Sequence, residues 1–181
     1  EEALRIRGGI GYYVLKILNA IAKTYITVMR GVPVVVQLMI WYFVILVSAE
    51  DIPIAIVAFG LNSGAYVAEI FRSGIMSIDK GQFEAAKALG MNYAQTMTKV
   101  IIPQSVRRMI PPVCNEFIMV LKDVSLVFAI SLMDITTISK TIMTSEGSYL
   151  VFIPALIIYL IITAVFTFVF GKIEKKFSIY E

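Results

Sequence analysis

Long apolar runs broken by short polar segments set the layout of this chain. The clearest run, Tyr149 to Gly171, reads YLVFIPALIIYLIITAVFTFVFG and carries no charge, over more than the ~20 residues a helix needs to cross a hydrocarbon core. It predicts a transmembrane helix, with Pro154 in the first turns, where a missing N–H costs least. A second run, about 52 to 71, is IPIAIVAFGLNSGAYVAEIF, and its Gly60, Ser63, Gly64, Ala65 and Ala68 offer a small-residue face for close helix packing. A third, about 110 to 132, places Glu116, Lys122 and Asp123 at membrane depth. The run from Pro33 to Val47 is too short to span alone, so a single helix over about 17–47 is expected. It would be loosened at Arg30-Gly31-Val32-Pro33, either as a gating point or, more simply, as the boundary at the membrane interface.

These runs predict an all-α fold, a polytopic membrane helical bundle of about four transmembrane helices. Residues 1–16, with Gly8, Gly9 and Gly11, read as a flexible or interfacial lead-in; 17–176 form the membrane domain and 177–181 a C-terminal tail. The chain opens on Glu1 with no signal-peptide pattern, which points to a longer natural chain.

Composition agrees with a bilayer. Of the 181 residues 59% are hydrophobic and 16% charged, and the mean hydropathy is +0.83. Of the 16 basic residues, 14 fall before the first run, between the second and third, and after the last. By the positive-inside rule those segments and the C-terminus are cytoplasmic, while 48–51 and 134–148 lie outside. Dispersed basic residues explain the net charge of +3 by topology and argue against nucleic acid as a partner. With no histidine and a single cysteine, Cys114, metal chemistry and a disulfide framework are both set aside, and Cys114 reads as a small packed residue.

One cytoplasmic segment, 73–108, breaks the apolar pattern. In DKGQFEAAKALG, Asp79 is an N-cap candidate with Gln82 in capping-box position, and Gly90 is the stop; Asn92 with Gln95 repeats the grammar and opens a second short helix ending before Pro103. Phe83, Ala86 and Leu89 form a narrow apolar stripe, Ala85 and Ala86 leave room for a partner's backbone, and Glu84 can accept hydrogen bonds or complement the helix dipole. From pattern alone the first helix either docks on a partner or lies on lipid headgroups.

EAAKALGMNYAQTMTKVIIP resembles the EAA signature of ABC-importer permease subunits, with Glu84, Ala85, Ala86, Gly90, Val100, Ile102 and Pro103 at the fixed positions and Val and Ile as mild replacements. RGVPVVVQL, LNSGAYVAEIFRSGI and NEFIMVLKDVSL look like the polar amino acid branch of that family, of the histidine, glutamine, arginine and cystine type, so the resemblance covers roughly 17–176. It implies a multi-pass subunit of a bacterial-type plasma (inner) membrane. Phe83, Glu84, Ala85, Ala86, Leu89, Gly90 and Pro103 would form the coupling segment docked on an ATP-binding cassette ATPase subunit. The further implied partners are an identical or homologous permease subunit, an extracytoplasmic amino-acid-binding protein, a polar amino acid and membrane lipid. The family usually has five transmembrane helices; four are counted here, so the first is absent.

No phosphate-binding loop and no nucleophile–base set occur, so the subunit reads as no enzyme and as carrying no cofactor, with ATP and Mg held by the partner ATPase. Charges inside spans cost about 2.5–3.5 kcal/mol each on insertion scales. Glu116 and Asp123, seven apart on one helix face, with Asn62 and Lys122, are therefore candidates for a substrate path. The plainer reading is that Glu69 and Glu116 are hydrated near the cytoplasm while Lys122 and Asp123 form a structural ion pair. An ion-coupled secondary carrier, using buried carboxyl groups to bind protons or sodium, or a non-transporting scaffold are the alternatives.

Overall fold

A computed structural model describes residues 10–177, and every regular element among them is helical. In chain order these are α1 (Ile10–Gly31), α2 (Val34–Ile40), α3 (Asp51–Met76), α4 (Lys80–Ala88), α5 (Tyr93–Thr96), α6 (Ile102–Asp123), α7 (Ile135–Glu146) and α8 (Phe152–Phe177). Among the described residues, Asp51–Met76 and Tyr149–Phe177 are long and apolar enough to cross a membrane, and a third span exists if Ile10–Gly31 and Val34–Ile45 count as one broken segment. The all-α membrane bundle read from the apolar runs is the fold observed.

The single helix expected over 17–47 does not form: its two halves meet at 107°. Pro33 cannot donate to the carbonyl four residues back, and it pushes Val32 out of the helical region, so α1 stops at Gly31 and a new helix starts beyond the proline. Residues 10–16 of the expected lead-in are the first turns of α1, while 1–9 and 178–181 lie outside the described residues.

The span expected over 110–132 is not among these candidates and is not one continuous α-helix. α5 runs through a π-helical turn, Met97–Ile101, straight into α6, and a 3-10 turn, Val124–Ile130, follows Asp123. The stop expected before Pro103 is therefore missing. Pro103 sits in the first turn of α6, after the Ile102 N–H has bonded to the Met97 carbonyl in the wider register, and there its absent donor is tolerated. The 3-10 turn closes at Ser131, a non-glycine residue with φ 60°, whose N–H and that of Leu132 bond back to the Phe128 and Val127 carbonyls.

α3 lies at the centre, packed against α1, α2 and α6. Its buried residues Ile54, Ala55, Ala58, Asn62 and Ala65 recur at helical spacing, and with Leu38, Phe59, Val127 and Ile130 the alanines 55 and 58 form the core. Of the small-residue face expected on this helix, Ala65 is buried, but Gly60 is exposed. A Cβ built at Gly60 would meet nothing within 4 Å, whereas one at Gly64 would lie 3.1 Å from the Tyr25 hydroxyl. The face that packs is thus turned toward Ala55, Ala58 and Ala65, because those positions share an arc with the bulky Ile54 and Phe59 that fill the core. α8 joins the bundle through Phe166 and Phe170, whose rings lie 5.1 Å and 5.4 Å from that of Phe117 on α6, and exposes Leu156, Leu160 and Phe168 in the manner of a lipid-facing helix. Cys114 is buried, as a packed residue would be.

Candidate coupling surface and translocation pocket

The segment between α3 and α6 is fixed by backbone geometry. Asp79 caps α4, but its carboxylate accepts from the Gly81 N–H at 2.6 Å and not from Gln82, so the capping box expected there is absent. Gln82 is used differently: its Oε1 accepts from Gln104 Nε2 at 3.2 Å, tying α4 to the start of α6. Gly90, with φ +74°, ends α4. The N–H groups of Gly90 and Met91 return to the carbonyls of Lys87 and Ala86, closing the helix in a Schellman motif. The second cap matches its sequence signature, with Asn92 and Gln95 each accepting from the other's backbone, at 2.9 Å and 3.0 Å. The Arg108 guanidinium donates to the carbonyl of Ser77, the residue that ends α3.

This anchoring orients α4. Ala86 is buried and Phe83 half-buried against the rest of the chain, while Glu84, Ala85 and Leu89 are exposed, Leu89 by 76%. The apolar stripe read from the sequence is therefore split: Ala86 and Phe83 hold the helix, and Leu89 belongs to the outer surface. Pro103 is exposed, in the first turn of α6.

A pocket of about 270 Å³ opens beside the elbow, lined by Arg30, Gly31, Val32, Pro33 and Val34, by Asn62 and Tyr66 of α3, and by Glu116, Met119 and Asp123 of α6. Three of the four residues proposed to line a path, Asn62, Glu116 and Asp123, share this wall; the spacing of seven does put both carboxyl groups on one face. Lys122 is exposed and outside the wall, turned away by its 100° offset from Asp123. Arg30 stacks over the Tyr66 ring, 5.2 Å from its centroid, and lies 3.9 Å from Glu69. Glu69 is more closely held by Arg72, with Nε to Oε2 at 2.8 Å. Sequence reasoning missed Arg30 and Tyr66 as pocket residues; the signal was the Arg-Gly-Val-Pro break itself, where a sharp turn of the chain puts the exposed Arg30 at the pocket's edge. Among the described residues, no three His, Cys, Asp or Glu side chains gather where a metal ion could bind.

An anchored surface helix thus lies on a helical membrane bundle that holds a pocket lined by Arg30, Glu116 and Asp123. The chain belongs to the family of binding-protein-dependent transport system inner membrane components, whose description matches residues 8–179. It is 38% identical to the glutamine transport system permease protein GlnP of Escherichia coli (strain K12) over 90% of this chain and 77% of that protein. To the arginine transport system permease protein ArtQ of Bacillus subtilis (strain 168) it is 38% identical over 86% of this chain and 74% of that one. The crystal structure of an amino acid ABC transporter with histidines superposes with a TM-score of 0.83 at 36% identity, covering 89% of this chain and 77% of that chain. An inward-facing MetNI methionine ABC transporter shares the fold, with a TM-score of 0.74 at 16% identity over 92% of this chain and 76% of that chain. The chain is accordingly a membrane permease subunit of an ABC transporter and not an enzyme, with ATP hydrolysis assigned to a separate subunit.

Proposed function

We propose that this subunit forms the path of an ATP-driven importer of polar amino acids and docks its ATPase through α4. The observation that carries the docking reading is the division of α4 into an inner side, fixed by Ala86 and the Gln82–Gln104 bond, and an outer side of Glu84, Ala85 and Leu89. A rigid-body push on that outer side reaches α6 through Gln104 and α3 through the Arg108–Ser77 contact. α6 in turn bears Glu116 and Asp123, so closure of the ATPase can shift the relative populations of inward and outward states of the pocket.

The pocket suits a small zwitterion. Its volume falls just under the ~300 Å³ at which ligand sites usually begin; Arg30 offers a planar cation for a carboxylate, Glu116 and Asp123 offer anions for an ammonium group, and Asn62 and Tyr66 complete the wall. The relatives named for glutamine and arginine transport support an amino acid as the solute. The partners are then an ATP-binding cassette subunit carrying ATP and Mg, a second permease subunit and an extracytoplasmic binding protein, with α4 and the C-terminus in the cytoplasm. Reconstitution of the full-length protein with these partners in proteoliposomes tests the reading. Uptake of a polar amino acid should require ATP and the loaded binding protein and should survive collapse of proton and sodium gradients. Uptake driven by a gradient without ATP would make the chain an ion-coupled carrier.

A further inference from the structure

The elbow between α1 and α2 leaves an account to be settled at Met29. In an unbroken helix its carbonyl would receive the N–H of the residue four positions on, but that residue is Pro33 and has none. Two side-chain amides take its place: Gln37 Nε2 donates to the Met29 carbonyl at 2.8 Å and to the Val32 carbonyl at 2.8 Å, and Asn62 Nδ2 donates to the same Met29 oxygen at 2.8 Å. One acceptor at the end of α1 is thus shared by donors from α2 and α3. Both amides are shielded from water, Gln37 6% exposed and Asn62 8%, so water cannot readily replace the bonds. Gln37 Oε1 is buried without a partner, which means that the side chain is oriented by what its nitrogen holds. A further tie, the Tyr25 hydroxyl to the Leu61 carbonyl at 2.6 Å, keeps α1 against α3 one turn earlier.

We infer that Gln37 and Asn62 are positioning residues for the pocket: they clamp the elbow at the Met29 carbonyl and so place Arg30, the next residue, opposite Glu116 and Asp123. The inference rests on the pocket reading above for its consequence, and on the hydrogen bonds alone for the clamp. Asn62 lines the pocket and commits one amide hydrogen to Met29, so its replacement also acts on solute affinity through the position of Arg30.

The test uses the full-length chain assembled with its partner subunits, with Cys114 replaced by Ala and spin labels at Ile21 and Val44, exposed by 60% and 70% on opposite arms of the elbow. Gln37→Met and Asn62→Leu keep approximate shape and delete, respectively, the two bonds of Gln37 and the one of Asn62; either alone suffices if the other fails to assemble. Pulsed electron spin resonance should show a broadened or shifted distance between the labels. Uptake should show a roughly tenfold higher half-saturating amino acid concentration, the scale of one lost interaction, with maximal rate changed far less. Arg30→Gln should raise the half-saturating concentration while leaving the label distance unchanged. An unaltered distance in both donor variants overturns the clamp, whatever uptake does. Altered distances with unaltered saturation in the donor variants would leave the clamp in place and overturn its link to the pocket, and unaltered saturation in Arg30→Gln would overturn the pocket reading itself.

Discussion

Replacing Gly74 by Ala puts a methyl group between α3 and the Met109 side chain of α6. A Cβ built at Gly74 falls 2.5 Å from Met109 Cγ and 2.8 Å from its Cε, against an optimum of about 3.5–4.0 Å between carbons. Met109 is 7% exposed and lines an apolar cavity of about 560 Å³ between α3, α6 and α8, so its side chain relieves the overlap only by swinging toward that cavity. Overpacking of this kind costs about 1–3 kcal/mol, and Ala recovers up to ~1 kcal/mol of that over Gly through helix propensity. Gly74→Ala is therefore expected to destabilise by about 0–3 kcal/mol. Met109→Ala alone should cost about 2–5 kcal/mol as a cavity. In the double variant the new methyl occupies part of the space that Met109 vacates, so the combined loss should fall short of the sum by about 1–2 kcal/mol. Unfolding of the four proteins of this cycle in one mild detergent measures that coupling. Additivity to within about 0.5 kcal/mol would show that α3 and α6 do not approach this closely at Gly74.

Two other residues give sharp expectations. Gly90→Ala forces a side chain into the left-handed region at φ +74°, which costs about 1–2 kcal/mol, so hydrogen exchange across residues 80–96 should quicken with no change in α8; equal protection in both proteins would refute the Schellman closure. Burial pushes the Asp134 carboxyl up, but hydrogen bonds from Thr137 and Thr136 together outweigh it and hold the group below its ordinary value. Its folded pKa being depressed, the stability it adds is complete above the unfolded value of about 3.9 and is lost as pH falls through the lower, folded value. Asp134→Asn should flatten that part of the acid limb in a series of thermal melts, and an identical acid limb in the two proteins would count against it.

What could be read in advance follows from how local each signal is. The caps at Asn92 and Gly90 depend on residues within one turn, and α8 depends only on a run of apolar side chains, so both were legible. The elbow was not, because a glycine and a proline announce a break without its angle; that angle is fixed by Gln37 and Asn62, 8 and 33 residues away from Met29. The same holds for the pocket. Glu116 and Asp123 share a face by spacing alone, and so could be paired from the sequence, whereas Arg30 joins them only once the chain has turned. Gln82 shows a local signal overridden: it has the position of a capping-box residue but bonds to Gln104 across the loop.

Docking of an ATPase on the outer face of α4 is tested by isolating the full-length protein from membranes beside a Glu84→Lys version and identifying what comes with each by mass spectrometry. Glu84 is exposed on that face, and reversing its charge should leave the fold intact while repelling the partner. An ATP-binding cassette subunit recovered with the unaltered protein and lost with Glu84→Lys is the result expected. Equal recovery with both would place the contact elsewhere, and no ATPase with either folded protein would return α4 to the surface of the lipid.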